Sequence, residues 1–421
     1  MSATRRLSIC YAAPGQRLLG TAGSTRNVLS VAESLSEWAD VTVAFRSIVE
    51  TPSARSFKIA SIDPPGASDA IARDDVAVRG LNPLAHAAYL RTLRGFATRS
   101  AGVYDVMFEK GWRFSGYLAC QALKRGVPSA LIENDARYRD EPVRDLRSLA
   151  RYLAQQGTQW IAARSSRRVP LIIAETEELK EALIALRGIA PERIEVVALG
   201  VDHSMFRPLD QPAAREALQI GRDAMVLLYV GGLDMYHDLG PLIEALGSEA
   251  APASLELHVV GDGELRAEYE SSARQRGVRA KFYGQVGHHD VPRFIAAADL
   301  CLAPYQPSRF YAGKIAFSTL KIPEYMACER PVASVPHGHI AKLIKHESTG
   351  FLLANEFQAW KSLLATFPTR ERLAAMGRCA AQRVANMSWR QTAGRYLEFA
   401  QRLSAAAGSG PGRPAREESV R

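Results

Sequence analysis

The stretch Ser318–Ser334, STLKIPEYMACERPVAS, sets a carboxylate among residues that otherwise read as buried. An ionised carboxylate is costly to bury unless something pairs with it. Ser318 or Thr319 is placed to cap a helix that contains Lys321 to Cys328, with Pro323 tolerated in its first turn. The start of such a helix presents unpaired N–H groups and the positive end of its dipole, which suits an anion such as a diphosphate. Glu324 lies about one turn in, where its two oxygens could accept from the vicinal hydroxyls of a ribose. The residues alone leave a second reading open, in which Glu324 complements the helix dipole and pairs with Lys321 or Arg330.

Three further turns have chemistry-bearing composition. In LLYVGGLDMYHDLGPLIEAL an apolar strand runs into Gly231-Gly232, where a phosphate-bearing ligand could approach the backbone, with Tyr236 and His237 placed to face it. In LELHVVGDGELR a strand ends at Gly261-Asp262-Gly263, and KFYGQ ends a second strand at Gly284. Nearer the start, Gly20, Gly23, Ser24 and Thr25 make a small-residue loop ahead of a helix, able to carry an anion or admit an acceptor. This is not a GxGxxG dinucleotide fingerprint, and no acidic residue ends the second strand as one would require. Each of these turns, taken singly, also reads as ordinary strand-to-helix geometry.

The elements that position these turns follow from the hydropathy pattern. Short apolar runs (LSICYAA, DVTVAF, YDVMFEK, PSALIEN, PLIIAET, RIEVVALG) alternate with segments of helical spacing, such as 26–38 and 114–125. The first run is expected to stop at Pro14-Gly15. That alternation predicts βαβ units and parallel sheets. The rhythm restarts after VDHSMFRPLDQP with MVLLYVGG, LELHVVGD, KFYGQ, LCLAPY and PVASV. The fold class is therefore α/β, with two Rossmann-like, doubly wound parallel-sheet domains, 1–205 and 206–385, facing a central cleft that would hold the ligand. A helix over 386–405, with Ser388 as its N-cap, would cross back to the first domain, and 406–421 reads as a disordered tail. The stretch from Phe57 to Asn82 gives no clear pattern.

Taken in order, YVGGLDMYHDLGPLIEAL, LHVVGDGELR, FYGQVGHHDVPRFIAAADLCLAPY, FSTLKIPEYMACERPVASVPHGHIAKLIKHESTGFLL and MSWRQTAGRYLEFAQRL resemble the GT-B glycosyltransferases of family 4. These are retaining enzymes that use nucleotide sugars. RIEVVALGVDHSMFRP resembles their interdomain signature, with Leu199 where Asn is usual, and Phe108-Glu109-Lys110 resembles a Tyr-Glu-Arg motif of one branch. The resemblance implies transfer of a sugar from a UDP- or GDP-sugar to a hydroxyl of a glycan, a lipid-linked or a small-molecule acceptor. It aligns Glu324 with the second Glu of the family's E-x7-E motif, which binds ribose. It also exposes departures: Ala316 replaces the first Glu, and Gly232 stands where a diphosphate-binding Arg is usual, with His237 near the position of its partner Lys. Lys321, Lys314 and His237 are the candidates to supply the missing positive charge, which a departing diphosphate needs. The implied donor-binding set is Glu324, Gly231, Gly232, His237, Gly261, Ser318, Thr319, Leu320, Lys321 and Lys314; the acceptor-side set is Gly23, Ser24 and Glu109, the last facing the cleft from a strand end. No catalytic base is named, because the leaving phosphate can take the acceptor's proton.

Composition bounds the alternatives. The 421 residues exceed one ordinary core, and 47% hydrophobic with 23% charged residues are those of a folded chain. Five scattered cysteines without a CxxC argue against a zinc site or disulfide framework and for buried free thiols in a reducing cytoplasm. No cofactor and no metal is expected; His288-His289 and His337-Gly338-His339 lack an accompanying carboxylate cluster. The net charge of +9 gathers partly in Arg139, Arg144, Arg147, Arg151, Arg164, Arg167 and Arg168. That surface reads either as a solvated helix face or as a peripheral contact with an anionic membrane at its inner face. Nucleic acid is not an expected partner. The rival functions are a non-catalytic GT-B subunit, a GT-B epimerase or phosphorylase, and a lipid- or nucleic-acid-binding protein.

Overall fold

The fold was taken from a computed structural model, which describes residues 5–18, 23–49, 55–64, 83–136 and 143–408. The chain forms two compact units, one of Met1–Ala198 with Trp389–Arg421 and one of Leu199–Ser388. The division thus falls at 198/199 and at 388/389.

The first unit is built on seven parallel strands: β1 (Ser8–Leu18), β2 (Asp40–Ile48), β3 (Lys58–Ser61), β4 (Val106–Lys110), β5 (Ser129–Glu133), β6 (Leu171–Ala174) and β7 (Ile194–Val196). They lie in the order β3-β2-β1-β4-β5-β6-β7. Strands β4, β5 and β6 are buried along their whole length, which is why they read as continuous apolar runs rather than alternating ones. β1 does not stop at Pro14-Gly15. It continues to Leu18 through a register shift between Ala13 and Arg17, an irregularity that accommodates a residue lacking an N–H. Strand β3 falls in the stretch that gave no pattern; four residues are too few for a period to show.

The helix Trp389–Gly408 returns to this unit and runs past residue 405. Its Tyr396 ring lies 5.4 Å from Phe108 and 6.3 Å from Tyr11, and Thr392 Oγ1 donates to Ala198 O at 2.9 Å. Arg402 reaches Glu195 at 3.3 Å.

The second unit carries six parallel strands: β8 (Met225–Val230), β9 (Leu255–Val260), β10 (Ala280–Gly284), β11 (Leu300–Ala303), β12 (Val332–Ser334) and β13 (Gly350–Leu352). Their order is β10-β9-β8-β11-β12-β13, so the winding reverses between β8 and β11. In doubly wound sheets the ligand crevice opens at the carboxyl ends of the strands flanking that reversal. Where the chain enters and leaves the unit, Val201 pairs with Ser388, and Val201 N–H donates to Met387 O at 3.0 Å.

The opposite ends of β8 and β11 are pinned by Asp299, which is buried. Its carboxylate accepts from Val226 N–H at 2.7 Å, from Arg215 Nη2 at 2.6 Å and from Arg370 Nε at 3.1 Å. Removing one partner of a buried ion pair leaves the other uncompensated, at a cost of about 3–5 kcal/mol. Asp299→Ala should therefore lower the stability of the second unit by about that amount in urea unfolding, with Asp299→Asn intermediate.

Candidate active site

At the reversal point the loop after β8 is zipped to the loop after β11. His237 bridges Tyr305, Gln306 N–H donates to Tyr236 O at 3.0 Å, and Asp238 N–H donates to Pro304 O at 3.0 Å. The loop after β9 closes on the same spot. A Cβ on Gly261 would lie 1.9 Å from Gly231 O, and Gly261 has φ +132°. Both facts demand glycine. Gly231 has φ +149°, and a Cβ there would lie 2.6 Å from Lys321 Nζ and 3.1 Å from Tyr229 Oη. Gly231 and Gly261 are thus glycine because a lysine amine and a neighbouring backbone fill the space. At Gly231, where the sequence suggested close approach of a phosphate to the backbone, the space beside the backbone holds the Lys321 amine. Gly232 is less confined; its Cβ would meet Asp234 Oδ2 at 3.3 Å.

Lys321 begins the seven-residue helix Lys321–Ala327. Its Nζ donates to Tyr229 Oη at 3.3 Å and lies 4.5 Å from the centroid of the Tyr229 ring and 5.7 Å from that of Tyr305. Burial pulls this amine down to about 7, against the opposing pull of Asp234 and Glu324. The tyrosines are fixed in turn. Tyr229 Oη donates to Gly232 O at 2.6 Å, Tyr305 Oη donates to Thr319 Oγ1 at 2.6 Å, and Tyr325 Oη accepts from Val230 N–H at 2.9 Å.

His237 stacks near Tyr305, with ring centroids 4.8 Å apart, and its Nδ1 is 3.0 Å from Asp234 Oδ1. Burial, then the nearby Lys321 charge, lowers its pKa to about 4 despite the Asp234 contact. At neutral pH it is therefore an uncharged imidazole with Nδ1–H held by Asp234 and Nε2 left as an acceptor. The positive charge expected of His237 is absent in the free protein. Lys314 stands exposed on the loop before the helix, outside these contacts. Of the three candidate cations, Lys321 and His237 sit at the reversal point, and His237 is uncharged there at neutral pH.

Neither Ser318 nor Thr319 caps the helix. Leu320 holds the N-cap position without a side-chain bond, Ser318 is buried, and Thr319 is buried with its hydroxyl committed to Tyr305. Glu324 is half-buried in the first turn, on the same helix as Lys321. Arg330 is committed elsewhere, donating to the carbonyls of Ile295, Ala296 and Glu329.

Comparison with known proteins closes the question of kinship. Residues 22–200 match the family described as glycosyl transferase 4-like domain, and residues 224–366 match glycosyl transferases group 1. The chain is a group 1 glycosyltransferase. It is 29% identical over 329 residues to a D-inositol 3-phosphate glycosyltransferase of Kribbella flavida, covering 72% of each chain. Its GT-B fold is shared with sucrose-phosphate synthase from Thermosynechococcus elongatus at a TM-score of 0.74 and 18% identity, covering 95% of this chain and 100% of that one. Anabaena HepE, solved with UDP and glucose, shares it at a TM-score of 0.69 and 16% identity, covering 94% and 100%.

In the first unit of the transferase, the acceptor-side expectations are rearranged. Gly20 lies outside the described residues. Gly23 and Ser24 belong to the first turn of the helix Gly23–Leu35 rather than to a loop, and Thr25 is buried. Glu109 does not face outward from its strand end. It is 1% exposed, and its carboxylate accepts from Gly116 N–H at 3.0 Å and Ala119 N–H at 2.6 Å, holding the start of the helix Tyr117–Leu123. Burial raises it to about 8; the Ala119 N–H opposes this, and the charge of Glu133 adds to it. In the second unit, His288 packs edge-on against Phe206, and His289 lies 3.7 Å from Asp290. Reading the sequence missed Tyr229, Asp234, Tyr305 and Tyr325. The available signal was a tyrosine inside otherwise apolar runs (LLYV, CLAPY), since a buried hydroxyl must find a partner.

The lysine would make the binding of an anion beside it depend on pH. A bound diphosphate favours the charged amine, so above pH 7 the complex keeps a proton that the free transferase has released. Affinity for a nucleoside diphosphate such as UDP should fall by up to about tenfold per pH unit above about pH 7, read by titration calorimetry. Lys321→Met should weaken binding and remove most of this slope. A slope unchanged in the variant would assign the titration to another group.

Proposed function

We propose that the transferase moves a sugar from a UDP- or GDP-sugar to a hydroxyl of a glycan, lipid-linked or small-molecule acceptor, with retention at the anomeric carbon. The second unit is the donor unit and the first the acceptor unit. The observation that carries this reading is the Lys321 amine over Gly231 at the reversal of the second sheet, with Glu324 one turn further along the same helix. Group 1 relatives place an arginine where this chain has Gly232. Here the cation comes from the helix on the other side of the loop, and its amine lies beside Gly231.

Charge gathers on the diphosphate as the anomeric C–O bond breaks, and a fixed ammonium there lowers the barrier. Lys321 would take up its proton as the diphosphate binds. Neutral His237 would offer Nε2 to a donor hydroxyl, with Asp234 fixing the tautomer. Glu324 would accept from the ribose hydroxyls. The acceptor oxygen bonds to the anomeric carbon as the diphosphate leaves, and the acceptor's proton passes to the leaving phosphate, so the reaction asks for no protein base. No cofactor or metal enters this reading. HepE, solved with UDP and glucose, makes UDP the first nucleotide to try. The inositol-phosphate transferases, as sequence relatives, make a phosphorylated polyol an acceptor worth including.

Thermal unfolding with UDP, GDP and ADP in excess tests the donor assignment. A ligand at 100 times its dissociation constant should add about 2.7 kcal/mol of stability. One nucleotide should raise the midpoint, and Glu324→Ala should remove that shift while leaving the midpoint of the free protein in place. If no nucleotide raises it, the reading of this unit as a donor site fails.

A further inference from the structure

The helix Leu146–Ser166 of the first unit is amphipathic in the reverse of the usual sense. Its buried positions are small or hydroxylic: Ser148, Thr158, Ala162, Ser165 and Ser166. Ile161 packs against the core, but four other large apolar side chains face solvent, with Leu146 84%, Leu149 39%, Leu153 59% and Trp160 64% exposed. At 100° per residue these four fall within about 60° of arc and span about 21 Å of helix. Asp145 caps the helix through Ser148 N–H, and Ser148 Oγ accepts from Asp145 N–H at 2.8 Å, so the end carrying Leu146 is held. Soluble surfaces scatter their exposed apolar residues; a contiguous stripe marks something that covers it.

Charge identifies the occupant. Arg147, Arg151 and Arg164 lie on the helix, Arg144 precedes it, Arg167 and Arg168 follow it, and all six are exposed. No Asp or Glu falls between Leu146 and Ser166. The Arg164 guanidinium sits 5.7 Å from the Trp160 ring, bringing a cation to the edge of the apolar stripe. A second copy meeting this face about a two-fold axis would set arginines against arginines. An anionic bilayer would neutralise them while its acyl boundary took the leucines and the indole. Among the described residues no helix is long and apolar enough to cross a membrane, so this one would lie in the interface.

We infer that the helix Leu146–Ser166 docks the transferase on an anionic lipid surface, with Leu149, Leu153 and Trp160 inserted and the flanking arginines on the headgroups. This deepens the proposed function by favouring an acceptor carried in that surface, and it rests on that reading for the acceptor alone; docking itself needs no donor.

Flotation of the full chain with vesicles of phosphatidylcholine, with and without about 30% phosphatidylglycerol, tests it. Trp160 emission is taken as the difference between the protein and its Trp160→Phe variant. The chain should float with the anionic vesicles only, with a blue shift carried by Trp160 and a loss of binding at high salt. Arg147→Glu with Arg151→Glu should weaken binding roughly tenfold or more. Leu149→Ser with Leu153→Ser should abolish the blue shift while the nucleotide-induced thermal shift stays. Three results would overturn the inference: no flotation, flotation without a change at Trp160, or a dimer in sedimentation that the leucine variant dissociates. Docking with no nucleotide shift would instead count against the donor reading alone.

Discussion

The Lys321 amine and the Tyr229 hydroxyl occupy the space that any side chain at position 231 would fill, and Gly261 in turn has no room beside the Gly231 carbonyl. This close packing of two turns and one helix sets the rest of the second unit's chemistry. It forces two glycines into backbone conformations that other residues rarely adopt. It needs tyrosine hydroxyls at 229, 305 and 325 to satisfy loop groups that water no longer reaches. It also desolvates the lysine, so that the amine sits near neutrality until an anion arrives. A cation held in this way is a better trap for a developing diphosphate than an exposed one, because the interaction is less screened and the geometry is fixed in advance.

In the first unit, buried charge is used differently. Glu109 holds a helix start, Glu133 pairs with Arg187, and Lys110 lies 3.5 Å from Glu175. Burial raises both Glu109 and Glu133. Each of these groups has a partner within the unit. They fix the carboxyl ends of β4 and β5 and the helices that follow them. An acceptor surface made in this unit would therefore draw on side chains other than Glu109.

Kinship and this chain's own departures fit one physical account. A departing diphosphate needs positive charge, and the chain has Gly232 where the resemblance implies an arginine. In the proposed function a lysine reaching the same loop from the following helix would meet that need, and its amine fits there because residue 231 has no side chain. The exposed leucine and tryptophan stripe of the first unit is likewise local, since the helix's buried face carries small and hydroxylic residues that suit close packing against the helices Tyr117–Leu123 and Glu177–Arg187.

The sequence by itself determined the two parallel sheets and their strand runs apart from β3 and β13, because alternation of apolar strands with amphipathic helices is written in local hydropathy. It also placed Glu324 and Lys321 on one short helix. Only the tertiary structure decided what the neighbours of these residues do. That Gly231 makes room for Lys321, that His237 is stripped of charge by burial, that Glu109 turns inward to hold a helix, and that Leu153 and Trp160 turn outward all depend on contacts between segments far apart in the chain. Local pattern carries no record of such contacts. The extension of β1 through Pro14 was hidden for the same reason: a register shift is a property of two paired strands, and one strand's residues cannot announce it.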